Sequence, residues 1–367
     1  MDPNATNYNE KAKKDDGSCV YDPNKIFFEI NENITTPTTI DKAVRICGNI
    51  SVSAALTILP GVKVIMCAGS SLNIVETGSL SAIGTAAEPI IFKGAVATPG
   101  SWDYIKFESN NSLNQLKYVT IQDGGGNSSW NAAVYCYLNG RLKMSNTTIS
   151  NSQRYGMLIY SETCTLDEFS NININNCSIG ALNITAKQMN AMEGNCTFTG
   201  NGKNHIEVNG GTIEQSQNWK MTQPSYYISN SVYIKSSVTV EPGAKILMGP
   251  GKSIHVESSG SLKAIGTSTD PIVFTGEQNT KGYWGYILYN GSNNNNNEFQ
   301  HVTTSYGGGD SSWNASIYLY LGARFKMGNS TVSNSQRWAI VNYDNQSTFI
   351  DDGNNSFSGN DLGNIGN

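Results

Sequence analysis

The chain has 367 residues, only 14% of them charged, with 37 Gly, a net charge of −5 and an isoelectric point near 5.3. The missing charge is replaced by Asn, Ser, Thr and Gly rather than by apolar residues, a mixture that favours turns and short strands. With no basic cluster beyond Lys11 to Lys14 the chain lacks the electrostatic footprint of nucleic-acid binding, and no apolar run approaches the roughly 18 residues of a membrane-spanning helix.

Residues 1–25 read as a unit of their own. Asp2-Pro3-Asn4-Ala5-Thr6-Asn7-Tyr8-Asn9, followed by Asp15-Asp16-Gly17-Ser18-Cys19, is similar to a short acidic module of bacterial surface proteins in which two cysteines bracket the segment. The first cysteine is missing here, so the resemblance implies that it falls just before Met1 and that the native chain extends upstream. Met1-Asp2-Pro3 also lacks the basic start and apolar stretch of a signal peptide, which leaves a cytosolic chain or one whose leader has been removed. Oxygens of Asp2, Asn4, Asn7, Asp15 and Asp16, with Gly17 for a sharp turn, suit a Ca²⁺ loop. The bidentate Glu of an EF-hand is absent, and a solvated linker is the competing reading. Residues 26–44, within a stretch from Tyr21 to Thr39 that reads as a strand or cap, are expected to cover the open end of a solenoid that begins at about residue 45.

From residue 45 onward the chain is punctuated by Gly and Pro into short alternating runs. Leu56 and Ile58 flank Thr57 before Pro60; Val62, Val64 and Met66 alternate; Leu72 and Ile74 come next. These are strands of three to six residues, separated by turns at Pro60-Gly61, Ala68-Gly69, Thr77-Gly78 and Ile83-Gly84. No sustained helical pattern intervenes. A block of about 140 residues then occurs twice, as expected of a stacked repeat architecture. GSLSAIGT from Gly78 to Thr85 returns as GSLKAIGT from Gly260 to Thr267, and Ser152-Gln153-Arg154 returns as Ser335-Gln336-Arg337. The offset is about 182 residues and becomes about 183 beyond Trp102 and Trp284, so the block tolerates almost no insertion, as when stacking fixes its length. The first copy lies in residues 45–226 and the second in 227–367. Where the second stops, near Gly366, the first runs on for about 40 residues, which reads as an uncapped or truncated end.

Regular short strands leave a sandwich, a barrel or a β-helix; the fixed repeat length and recurring corner Asn, as at Asn176-Cys177 and Asn195-Cys196, favour an all-β parallel β-helix solenoid. The residues at Leu56 to Val62, Gly69 to Leu72, Gly78 to Phe92, Tyr118 to Gly126 and Asn146 to Ser152 resemble the right-handed parallel β-helix (pectate-lyase-like) domains of bacterial surface and secreted proteins. The resemblance covers roughly residues 45–367 and implies an architecture, since a turn or a core contact explains each matching position.

Seven cysteines without a Cys-x-x-Cys step exclude a sulfur-based zinc pattern. Cys47 and Cys67 sit about 20 residues apart, as do Cys177 and Cys196, a spacing that suits disulfides between neighbouring coils or buried stacked thiols. Pectin hydrolases of this fold rely on carboxylates near a Gly-His-Gly segment, which the chain lacks. Arg141-Leu142-Lys143 and Arg324-Phe325-Lys326 match their Arg-x-Lys, but alternation explains both as outward residues around an inward Leu or Phe.

What recurs outside the expected core is a set of aromatics beside polar groups. Trp102 and Tyr104 return as Trp284 and Tyr286; Trp130, Asn131, Tyr135 and Arg154 return as Trp313, Asn314, Tyr318 and Arg337. Such rings stack on sugars while Asn and Arg supply directional hydrogen bonds. They equally suit packing on loops at coil ends. Two patches some eight coils apart, about 40 Å at about 4.8 Å per coil, would suit a long polymer and add avidity. The expectation is a secreted or cell-surface monomer, without a transmembrane segment, that binds polysaccharide or cell-surface glycan or is adhesive, needs no cofactor beyond a possible Ca²⁺, and reaches its anchor through the missing N-terminal region. A polysaccharide lyase or glycoside hydrolase with a divergent site, and a purely structural stalk, are the alternatives.

Overall fold

Alternation along each short run sets the first level of structure in the computed structural model, which describes residues 28–367. The calcium candidates Asp2, Asn4, Asn7, Asp15 and Asp16, and Cys19, lie outside the described residues. In Ala55–Ile58 and Ser237–Val240 every second side chain is buried and its neighbours face outward. A strand of four residues cannot bury such a stripe alone, so each coil lays its apolar residues on those of the coil before it. The pairings are parallel throughout, as in Leu56 against Leu80 and Ile246 against Phe274. The inward Val, Ile, Leu and Phe thereby form one continuous core. Within it Phe274, Phe299 and Phe325 stand 5.5 and 5.1 Å apart between ring centres.

Four sheets result. The longest has 13 strands, from Asn49–Val52 to Ser356–Ser358, and at about 4.8 Å per strand it extends some 58 Å. Beside it, a 12-stranded sheet made of two ladders covers the first half; the ladders merge in the ten-residue strand Arg141–Ser150. Its last strand is Thr197–Thr199. One short 3-10 helix, Ala186–Ala191, is the sole helical element among the described residues and lies against the strand Thr165–Asn175. Beyond it, sheets of seven and six strands take over two sides of the solenoid.

The two copies of the repeated block are not in phase around the axis. Lys63–Met66 lies in the 12-stranded sheet, whereas its counterpart Lys245–Met248 lies in the long sheet. Ala132–Cys136 lies in the long sheet, and its counterpart Ala315–Tyr320 in the seven-stranded one. Every equivalent strand has moved on by one face. The segment between the copies, which contains the 3-10 helix, does not add a whole number of coils.

Corners are closed by side-chain amides. Asn171 Nδ2 donates to Asn146 Oδ1 at 2.8 Å, and Asn354 Nδ2 to Asn329 Oδ1 at 3.1 Å. Asn at these corners holds a positive φ, which its short polar side chain tolerates. Cys47 and Cys67 are joined as a disulfide, while Cys177 and Cys196 are free buried thiols. The reason is that Asn176-Cys177 and Asn195-Cys196 are different corners. Cys177 N–H donates to Asn201, and Asn195 accepts from Asn171, each 24 residues away, so the cysteines fall out of step. Trp102 and Trp284, which the sequence alone groups with the surface aromatics, are 0% exposed core residues whose indole N–H groups donate to Gln122 O and Ser305 O.

Truncating the middle ring of this phenylalanine row, Phe299→Ala, should cost about 3–5 kcal/mol. Lys42→Ala on the exposed surface should change stability by less than about 0.5 kcal/mol. Urea unfolding of the two variants compares them directly.

Candidate functional site

The first aromatic patch is built on the outer side of the long sheet. In Tyr104–Phe107 and Ala132–Cys136, Ile105, Phe107, Val134 and Cys136 point into the core. Tyr104, Lys106 and Tyr135 alternate with them and so face outward. Asn127 Oδ1 accepts the N–H groups of Ser129 and Trp130, a turn that brings the indole over these side chains. The Trp130 ring lies 5.2 Å from both Tyr135 and Tyr137 and 6.0 Å from Tyr104, all edge to face. Lys106 places its ammonium 3.8 Å from the indole centre and pairs with Glu108 at 2.8 Å. Tyr104 and Tyr135 are only 7% and 4% exposed, so they form the floor of the patch rather than its contact surface. That surface belongs to Tyr160, which is 59% exposed and stands 5.9 Å from Tyr137 and 6.4 Å from Tyr135.

The second patch repeats this plan with one chemical change. Asp310 Oδ1 takes the place of Asn127 and accepts from Ser312 and Trp313 N–H. Trp313 stands 5.0 Å from Tyr318 and 5.6 Å from Tyr320, and Tyr343, 58% exposed, lies 5.6 Å from Tyr320. Lys106 and Glu108 are replaced together: Leu288 is buried, and Asn290 donates to Glu257 at 3.0 Å. Asn131, Asn314, Arg154 and Arg337 support the corners. Asn131 Oδ1 accepts from Arg154 Nη1 at 3.2 Å, and the carbonyls of Asn131 and Asn314 accept from Tyr155 and Trp338 N–H. The Nε groups of Arg154 and Arg337 are buried without a partner. Tyr160 and Tyr343 went unremarked in the sequence because each stands alone after a strand, although their matching places in the two copies were a usable signal.

The patches look in different directions. One lies on the long sheet and the other on the seven-stranded sheet. Seven steps along the long sheet separate Ala132–Cys136 from Val302–Ser305, which precedes the second patch, an axial distance of about 34 Å. A straight polymer lying along one face therefore meets one patch, and the avidity expected of two patches on one line does not follow from this geometry.

A second feature borders the 3-10 helix, where regular strand stacking stops. Thr165–Asn175 pairs with the following coil only at Asn173 to Asn175. Beside its remaining edge lies a cavity of about 390 Å³ lined by Asp167, Glu168, Asn190 and Glu193. On the other side of Asn190 a cavity of about 340 Å³ is lined by Glu162, Lys187 and Glu214. Most of these carboxylates are engaged. Arg141 grips Asp167 at 2.6 and 3.1 Å, Lys220 bridges to Glu193, and Glu162 accepts from Thr212 N–H. Lys326 likewise pairs with Glu298 and Asp352. Arg141 and Lys326 are thus outward ion-pair residues, and Lys143 and Arg324 are the other half-buried outward positions around buried Leu142 and Phe325. A closed polar network elsewhere on the long sheet joins Tyr155 O–H and Lys203 to the buried Glu207, at 2.7 and 3.0 Å. Among the described residues no group of three or more His, Cys, Asp and Glu could hold a metal ion, and no helix is long and apolar enough to cross a membrane.

Comparison with known proteins agrees with this architecture. Residues 208–336 match the family described as a pectate-lyase like beta helix domain. No curated protein and no solved structure matches the chain.

Burial, reinforced by Tyr343, Tyr320 and Asp344, pushes the Tyr318 phenol up to about 12, from an ordinary value of about 10. Because the folded value is the higher one, the associated stability is complete below pH about 10 and is lost as the pH rises toward about 12. Tyr318→Phe should therefore lose less stability than the wild type between pH 8 and pH 11. Urea midpoints at the two pH values measure the difference, and equal losses would show that this phenol does not titrate with unfolding.

Proposed function

We propose that the protein is a non-catalytic, secreted or cell-surface carbohydrate binder with two sites, one at each aromatic patch. The observation that carries this reading is the pair Tyr160 and Tyr343, 59% and 58% exposed at matching positions in the two copies. Each stands on aromatics packed edge to face, the buried Tyr135 against the half-buried Trp130 in one copy and the buried Tyr318 against the half-buried Trp313 in the other. A rigid, supported ring with an open side suits stacking against a sugar, because few side-chain rotations are lost on binding. The contact set differs from the one expected from sequence: Tyr137, Tyr160 and Trp130 form one platform and Tyr320, Tyr343 and Trp313 the other, while Tyr135 and Tyr318 lie beneath.

Affinity electrophoresis through gels containing single polysaccharides tests this reading. The wild type should be retarded by at least one of them, with no new reducing ends or unsaturated products. Tyr160→Ala and Tyr343→Ala should each remove one site, and the double variant should bind at least about tenfold more weakly. Unchanged retardation of the double variant would remove the patches from the account.

One observation favours a catalytic second reading: the two cavities beside the 3-10 helix, which share Asn190, are both lined by carboxylates, and Lys187 lines one of them. Glycoside hydrolysis needs two free carboxylates across the scissile bond, and here Asp167 and Glu193 are held by cations. Glu162, Glu168 and Glu214 are not paired with a cation, although Glu162 accepts from Thr212 N–H and Glu168 from Ser170 Oγ. If this region hydrolyses a glycan, Glu168→Gln and Glu214→Gln will abolish product formation while leaving retardation by the aromatic patches intact.

A further inference from the structure

We infer that each patch selects an uncharged sugar that carries a methyl group beside its ring, in an acetamido or a 6-deoxy substituent. This rests on reading the patches as carbohydrate sites. Beside each platform stands an exposed leucine. Leu138 is 50% exposed at φ 50°, and Leu321 is 60% exposed at φ 55°. The left-handed region is unfavourable for a residue with a Cβ and suits Gly or Asn. Asn fills this role at 131, 146, 151, 171, 176, 329, 334 and 354, and of the residues that depart from the rule, Glu76, Tyr118, Asp123, Leu138, His301, Tyr306 and Leu321, only the two leucines are both apolar and exposed. At the two matching corners next to the exposed tyrosines the chain keeps a strained, solvent-facing leucine instead. Strain retained at an exposed position points to use rather than to packing.

Both leucines are fixed in place against the neighbouring coil. Leu138 follows Tyr137, and its carbonyl accepts from Thr163 Oγ1 and Cys164 Sγ on the turn that begins after Tyr160. Leu321 follows Tyr320, and its N–H donates to Asp344, the residue after Tyr343. Apart from the half-buried Arg154 and Arg337, whose Nε groups are buried, the charged groups bordering the patches are already engaged. Lys106 pairs with Glu108, Glu162 accepts from Thr212 N–H, and Asp344 accepts from Leu321, Gln346 and Ser347 N–H. A uronate or sulfate would find no unpaired cation among these groups, and an ammonium no unpaired carboxylate. What each patch offers is an open tyrosine face for a neutral ring and an apolar side chain for a methyl group.

Isothermal titration of the full chain with three probes tests the inference: the N-acetylglucosamine pentasaccharide, a rhamnose tetrasaccharide and cellopentaose. At least one methyl-bearing probe should bind about tenfold more tightly than cellopentaose, and which one does so identifies the substituent. Leu138→Gly with Leu321→Gly relieves the strain and should melt no lower than the wild type, yet its affinities for the methyl-bearing probes should fall to that for cellopentaose. Equal affinities for all probes in the wild type, or a preference that survives in the glycine variant, would overturn the methyl-group assignment alone. Binding of no probe, or binding unaffected by Tyr160→Ala with Tyr343→Ala, would overturn the carbohydrate reading together with it.

Discussion

Backbone hydrogen bonds between successive parallel coils are the constraint on which the rest of this structure depends. Side chains alternate with a period of two, so one extra residue inside a strand would turn every following side chain to the wrong side of the sheet. Length changes therefore gather at corners, where Gly, Asn and the longer loops are found; one extra residue inside a strand, Asp167, is taken up by a bulge opposite Leu142 and Lys143. Coils can consequently differ in length while their strands stay in register: Ile206 pairs with Tyr226, but Ile272 pairs with Val302, about ten residues further round.

The same constraint decides where surface chemistry is displayed. A coil has three faces, and the segment around the 3-10 helix carries the repeated block forward by one of them. Two nearly identical patches therefore face different directions, a geometry suited to engaging two chains or two surfaces. The divergence between the copies is itself ordered. Lys106 and Glu108 in the first become Leu288 and Asn290 in the second, and removing both members of a partly buried ion pair avoids the cost of leaving one charge alone. The aromatic scaffold around that change is retained.

Much of this was legible in the sequence. Short alternating runs, Gly-rich turns and a nearly constant repeat offset led to the parallel β-helix, and inward Leu142 and Phe325 explained the Arg-x-Lys stretches as the structure has them. Other features were not legible, for physical reasons. Trp102 and Trp284 look like surface aromatics until the coil is closed, because whether an indole turns inward depends on the loop that carries it. Tyr135 and Tyr318 do face outward, but the next coil and the Trp loop cover them. The shift of face and the unequal cysteine corners both follow from unequal coil lengths, which no single repeat offset reports. Ala186–Ala191 is too short for a helical period to show.

Hydrogen–deuterium exchange of the intact protein, free and saturated with a glycan retained in affinity gels, tests the central claim that the supported tyrosines are the binding surface. Slowed exchange confined to the turns at 137–140 and 160–164 and to their counterparts at 320–323 and 343–347 is the predicted result. Protection centred on 186–195 and 212–217, with those turns unchanged, would move binding to the cavities beside the 3-10 helix and contradict the account.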